Sequence, residues 1–305
     1  MSEQVPTLTE RQHRTYWWKE TLIMGGLYLI YSWSRNLFGS AHISLETGDL
    51  PLRAFHNAER VIQLERAIGL FHEESVQDWF LKFRGFIRFW NTYYGTAHFL
   101  VTFTVFWILF VKRKDVFPQW RNTLAITTAI GIVGFSMFPL MPPRLLDTPC
   151  PSAGGFGGAC IQSSYRDEGP DGIAQTADDG TFGFVDTLPE YGGALWTFDS
   201  QAMKSISNQY AAMPSMHIGW SSWCAFAVWP LMRRRWAKIA VLLYPASTLF
   251  CIVVTANHYW IDGVGGQLAL AVGAWLGWDL HNRNQRRLDR LHQLKLEETT
   301  INEPA

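Results

Sequence analysis

Apolar positions in this chain gather into long runs separated by short cationic turns. Six runs are read as helices spanning a bilayer, whose core takes about 20 apolar residues to cross. They cover residues 21–38, 86–111, 120–141, 211–232, 236–255 and 258–280. The fourth to sixth carry almost no charge between their ends. The pattern predicts an all-α integral membrane protein built as a six-transmembrane-helix bundle.

Two stretches between runs read differently. In 39–85, Phe55, Ala58, Ile62 and Ile68 recur at near-helical spacing, with Glu59, Arg60 and Arg66 on another face. This is an outer amphipathic helical segment, placed either along the membrane surface or over the bundle. The stretch 145–210, between helices 3 and 4, is a long outer loop rich in Gly, Asp, Ser and Pro; connections of that length are usually functional or disordered.

Cation placement sets the orientation, because cytoplasmic loops collect Lys and Arg. Arg11, Arg14 and Lys19 precede the first run, and Lys112, Arg113, Lys114 and Arg121 separate the second from the third. Arg233, Arg234, Arg235 and Lys238 separate the fourth from the fifth, and Arg283, Arg286, Arg287 and Arg290 follow the sixth. With six spans all four groups share one side, so both termini are expected in the cytoplasm of a cell-membrane protein. No small-residue cleavage site follows the first run, which is read as a retained signal anchor. The chain is one domain, 1–305, with a core at 86–281 and a cytoplasmic amphipathic tail at 282–305.

Composition adds little. The chain is 48% hydrophobic and 17% charged with zero formal net charge, so nothing global points to nucleic acid. In the long loop, Cys150 and Cys160 would face an oxidising compartment, where a disulfide is expected. Asp167, Glu168, Asp171, Asp178 and Asp179 cluster there too. They are oxygen ligands suited to calcium but lack EF-hand spacing, and a solvated acidic turn is the alternative. Gly263, Gly265 and Gly266 inside the sixth run are expected to let helices pack closely.

Candidate chemistry lies at the outer ends of the runs. Met141-Pro142-Pro143-Arg144 closes the third, Met213-Pro214-Ser215-Met216-His217 opens the fourth, and Asn257-His258-Tyr259-Trp260-Ile261-Asp262 opens the sixth. The topology, drawn from Lys and Arg alone, brings all three to one depth on the extracytoplasmic side. His258 and Asp262 are four apart and share a helix face. The carboxylate would fix the imidazole tautomer and free the other nitrogen as a nucleophile. Pro214 and Ser215 open a helix whose first N–H groups favour a bound phosphate. His217, one turn in, suits proton transfer, and Arg144 suits a phosphate fork. An ionisable group inside an apolar run, as Asp262 is, marks function by default. Asn91, Tyr94 and His98 form a stripe on the second run that would line a head-group pocket with Asn257. Arg35, on the first, would supply a further charge. These residues ask for no metal and no cofactor.

The three segments resemble the signatures of the type 2 phosphatidic acid phosphatase superfamily, K-x6-R-P, P-S-G-H and S-R-x5-H-x3-D. The resemblance covers the third to sixth runs. It implies a six-helix bundle and a phosphohistidine intermediate, with His258 as nucleophile and Asp262 orienting it. It also implies that His217 is the acid and then the base, and that Arg144 and Ser215 contact phosphate. Four departures stand out: Met137 replaces the Lys, Ile252 the second Arg, Cys251 the Ser, and Ser-Gly-His has become Ser-Met-His. With two cradle cations gone, a phosphate dianion would be poorly compensated, which favours a diester. The pattern looks like the inositol phosphorylceramide synthase branch, whose members move phospho-head groups between lipids.

The expected function is a membrane lipid phosphotransferase. It would move a phospho-head group from a phospholipid or polyprenyl-phosphate donor to an acceptor hydroxyl. The alternative is a lipid phosphate phosphatase that uses water. A lipid-binding or transporting protein that merely keeps the fold is disfavoured by the intact His217, His258, Asp262 and Arg144.

Overall fold

The computed structural model describes residues 49–146, 182–193 and 210–301, together with Trp18, Glu20, Leu22, Gly25, Gly26 and Leu29. Arg35, Cys150, Cys160 and the acidic cluster from Asp167 to Asp179 lie outside the described residues. The long elements are α1 Asp49–Ala67, α2 Glu73–Leu81, α3 Arg84–Lys112, α4 Phe117–Met137, α5 Thr187–Tyr191, α6 Met216–Val228, α7 Arg235–Val254 and α8 Trp260–Ile301. Short 3₁₀ turns cover Pro143–Leu145 and Trp229–Leu231. Among the described residues the regular elements are all helical, with one isolated parallel bridge between Leu140 and Ala211.

The helices form a bundle with two distinct ends. At one end the cationic turn Arg113–Asp115 joins α3 to α4, and Trp120 meets Trp223 of α6 and Trp278 of α8. At the other end the close of α4, the start of α6 and the start of α8 come together. Small residues set the spacing between α4 and α8. A β-carbon on Gly273 or Gly277 would press into Thr127 or Thr123, so only glycine allows this approach.

The predicted runs and the helices differ in instructive ways. The second, third and fifth runs become α3, α4 and α7. Of the described helices, α3 and α7 are long and apolar enough to cross a membrane. The fourth run, expected over 211–232, is an α-helix of only 13 residues extended by a 3₁₀ turn. Pro214 delays its start and Pro230 ends it, because proline lacks an N–H and crowds the preceding turn. The sixth run and the tail are a single 42-residue helix, so no break separates core from tail. Of the first run only a few positions are described. Glu20, just before it, pairs with Arg121 at 2.7 Å, beside the start of α4.

The amphipathic segment packs over the bundle. Phe55, Ala58 and Ile62 are buried in one cluster with Leu140, Met141, Leu145 and Tyr259, while Ile68 stays exposed. The segment thus roofs the end where α4, α6 and α8 converge. Around the sides, Leu100, Phe103 and Trp107 of α3, Ile239 and Leu243 of α7, and Leu268 and Trp275 of α8 point outward. An exposed apolar belt of that extent is a liability in water and ordinary against lipid.

Candidate active site

Three loops build the site at the roofed end. Thr255 to Asn257 turns tightly between α7 and α8, with Ala256 at φ 50°, a left-handed conformation that is costly for a residue with a β-carbon. The turn is buried and tied down: Arg144 N donates to Ala256 O at 2.8 Å, and Asn257 Nδ2 donates to Thr255 Oγ1 at 2.8 Å. His258 follows directly and is delivered to a fixed place.

The His258 ring is held from one side. Its Nδ1 lies 3.2 Å from Asp262 Oδ2, which also accepts Tyr259 N–H at 3.1 Å. Both side chains are buried. With Asp262 ionised, the carboxylate can only accept, which places the proton on Nδ1 and leaves a lone pair on Nε2. Ser215 Oγ sits 3.5 Å from that Nε2. Nε2 therefore faces the start of α6, and helix N-termini favour an anion.

Glycine brings α6 and α8 together here. Ser215 N donates to Asp262 O at 2.9 Å. A β-carbon on Gly266 would collide with the Ser215 carbonyl, and one on Gly265 would press on Pro214. The packing role expected of this glycine group is thus met at the site itself.

His217, on the first turn of α6, has its ring centroid 5.6 Å from that of His258. It stacks on Tyr94 at 4.4 Å and meets His98 edge-on at 4.5 Å. His98 Nδ1 donates to Tyr94 O at 3.0 Å, since a carbonyl can only accept. Tyr94 and His98 therefore hold the candidate proton donor in place from α3. Asn91, expected on the same stripe, has another job. Its Nδ2 donates to Thr187 O and Gly192 O, both at 2.9 Å, and its Oδ1 accepts from Thr187 Oγ1. Its amide anchors the α5 loop rather than facing His217.

Arg144 lies in the 3₁₀ turn after α4, buried, with Nη1 2.8 Å from Asp186 Oδ2. Two of the three cation positions of the resembled signatures, and the serine position beside one of them, are replaced here. Ile252 is fully buried with Ile218 and Val253, Cys251 donates to Trp90 O, and Met137 is exposed at the end of α4.

Sequence reasoning missed two features. One is Asp186, which the acidic composition of the long loop did not single out. The other is a buried pair of carboxyls at the start of α8, just after His258. Glu65 Oε1 accepts Ile261 N–H at 2.8 Å and Glu73 Oε1 accepts Trp260 N–H at 3.1 Å. Together they satisfy the first turn of α8, where negative charge is favoured by the helix dipole. Burial, and then the neighbouring Glu73, push the Glu65 carboxyl up to about 9, so it holds a proton at neutral pH. That proton gives the otherwise unmatched Glu65 Oε2 something to donate. In sequence both glutamates looked like halves of balanced surface charge.

A family model, that of the PAP2 superfamily, matches residues 59–276. The match covers α2 to α7 whole, the C-terminal part of α1 and the first part of α8, and so takes in all three site loops. No curated protein and no solved structure matches the chain.

Proposed function

The chain belongs to the PAP2 superfamily, and on that premise we propose that it is a membrane lipid phosphotransferase of the inositol phosphorylceramide synthase type. Membership alone makes it an enzyme of phosphoester chemistry. In the proposed reaction His258 Nε2 attacks the phosphorus of a phospholipid or polyprenyl-linked donor. The bond from phosphorus to the leaving oxygen breaks, and protonated His217 gives that oxygen its proton. The phospho-group, with any head group it carries, then sits on His258. An acceptor hydroxyl loses its proton to His217 and attacks the same phosphorus, and the P–N bond breaks to free His258. Asp262 keeps the proton on Nδ1 and stabilises the cationic ring. Ser215, the start of α6 and Arg144 hold the phosphate oxygens.

The observation that carries this reading is the His258 ring, fixed through Nδ1 by a buried carboxylate with Nε2 turned to Ser215 and His217 alongside. The preference for diesters rests on charge, since Met137 and Ile252 leave the cradle short of cations. The roof of α1 and α2 favours transfer over hydrolysis, because water competes with any acceptor. The outward apolar belt and the cationic turns at the opposite end support a six-span protein. Its site would open to the extracytoplasmic side, with both termini in the cytoplasm.

The test is product analysis. Purified protein in lipid bilayers is offered a panel of phosphodiester lipids with acceptor alcohols, and products are read by mass spectrometry beside the His258→Ala variant. A new head-group lipid made by wild type alone upholds the proposal. Inorganic phosphate released from monoesters, with no diester turnover, overturns it in favour of a phosphatase.

A further inference from the structure

The first turn of α8 borrows its caps from the roof. Tyr259 stands just before the helix, and Asp262, three residues on, accepts its N–H at 3.1 Å. That is half of a capping box. The other half needs a short side-chain oxygen at the capping position to take the next N–H groups. Tyrosine carries none, and its hydroxyl donates instead to Met141 O at 3.1 Å. The oxygens come from α2 and α1. Trp260 N–H goes to Glu73 Oε1 at 3.1 Å and Ile261 N–H to Glu65 Oε1 at 2.8 Å. Three successive N–H groups thus end on three carboxyls, one from α8 and two from the roof. Both glutamates are set in place. Gly69, at φ 72°, turns the chain back after α1, and Leu70 N donates to Glu65 O at 2.7 Å. Glu73 Oε2 accepts His72 N–H at 3.0 Å. Both side chains are fully buried, and the proton that Glu65 keeps lets the two carboxyls lie together.

We propose that Glu65 and Glu73 are positioning residues for the catalytic pair, holding the first turn of α8 so that Asp262 Oδ2 meets His258 Nδ1. The inference rests on the reading of His258 as nucleophile and Asp262 as its orienting partner. One oxygen, Asp262 Oδ2, serves both the Tyr259 N–H and the imidazole. A shift of this turn therefore moves the carboxylate relative to the ring. At 3.2 Å the contact with Nδ1 is already at the long end of a hydrogen bond, so a small further displacement breaks it. The roof then does more than cover the site: its two carboxyls set the geometry of the residues beneath it.

The test compares Glu65→Leu with Glu65→Gln, reading nitrophenol released from nitrophenyl phosphate and from its methyl diester. Leucine fills the space but cannot accept from Ile261, whereas glutamine keeps the acceptor. Misplacing a reacting group by about 1 Å can cost about 10²-fold, so Glu65→Leu should lower kcat by roughly tenfold or more. KM should stay near that of wild type, and Glu65→Gln should restore kcat. Melting midpoints on the same samples separate stability from rate. A merely structural role lowers the midpoint and leaves kcat per folded molecule near that of wild type, which overturns the proposal. A loss that glutamine does not restore overturns it too. Should Glu65→Leu fail to fold, Glu65→Asp takes its place, because the shorter side chain leaves the carboxyl short of Ile261 N–H. A wild-type kcat in Glu65→Asp then overturns the proposal. Failure of the parent reading is distinguishable, for there His258→Ala cleaves the probes as fast as wild type, or wild type cleaves neither.

Discussion

Replacing Asp262 with Asn isolates the electrostatic part of the site. The carboxylate is fully buried, with Oδ2 3.2 Å from His258 Nδ1 and 3.1 Å from Tyr259 N. The amide oxygen of Asn can take the same place and accept both hydrogens, so the ring stays where it is. What is lost is the charge that opposes the cation forming on the imidazole during attack. A unit pair about 4 Å apart at an effective dielectric near 20 interacts by about 4 kcal/mol. The amide dipole recovers about 1 kcal/mol as an ordinary hydrogen bond. The remaining ~3 kcal/mol corresponds to a loss of roughly 10²-fold to 10³-fold in the chemical step. KM should hardly move, because the charge acts in the transition state and not on bound substrate. Single-turnover kinetics on reconstituted protein, with thermal melting as a folding control, measures this. A folded Asp262→Asn protein within tenfold of wild type would refute the reasoning.

Three further substitutions probe the scaffold. Gly266→Ala sets a β-carbon against the Ser215 carbonyl, so it should separate α6 from α8 and cut turnover at least tenfold while far-ultraviolet circular dichroism holds. Asn91→Ala leaves two carbonyls and the Thr187 hydroxyl without their partner. It should cost about 1–3 kcal/mol, read as a lower melting midpoint and faster proteolysis in the α5 loop. Glu65 is raised in the folded state from 4.5 to about 9. The folded protein therefore holds a proton that the unfolded chain gives up above 4.5, and stability falls as pH climbs through that interval. Glu65→Gln, which can still accept from Ile261 and donate to Glu73, should flatten that slope in melting runs between pH 5 and 9, whereas an unchanged slope would assign the titration elsewhere.

Much of the site was legible in the sequence because its parts are local. His258 and Asp262 are only four positions apart, so they meet at the start of α8 even though His258 lies just before the helix and not on its face. Pro214 and Ser215 announce a helix start, and the Lys and Arg pattern places three distant segments at one end without reference to their chemistry. The rest depends on contacts far apart in the chain. The periodicity of Phe55, Ala58 and Ile62 shows an apolar face but not what that face covers, and bilayer and bundle are equally apolar targets. Asp186 pairs with Arg144 from 42 positions away, and Glu65 reaches Ile261 from 196. Neither carboxyl sits in a motif. Asn91 fell on the expected stripe, yet a polar residue at helical spacing does not reveal whether a substrate or a loop takes its hydrogen bonds. The short α6 shows how the apolar run misleads. Hydropathy continues through Pro214 and Pro230 although the helix cannot.

The central claim is that phosphorus passes through His258, and trapping the intermediate tests it most directly. Reconstituted wild type, mixed with a phosphodiester donor and no acceptor and then quenched in alkali, is digested and read by mass spectrometry. An acid-labile phospho-adduct on the peptide bearing His258, absent from His258→Ala and discharged when an acceptor alcohol is added, is the predicted result. Turnover of the donor with no adduct on that histidine, or undiminished turnover in His258→Ala, would contradict the account.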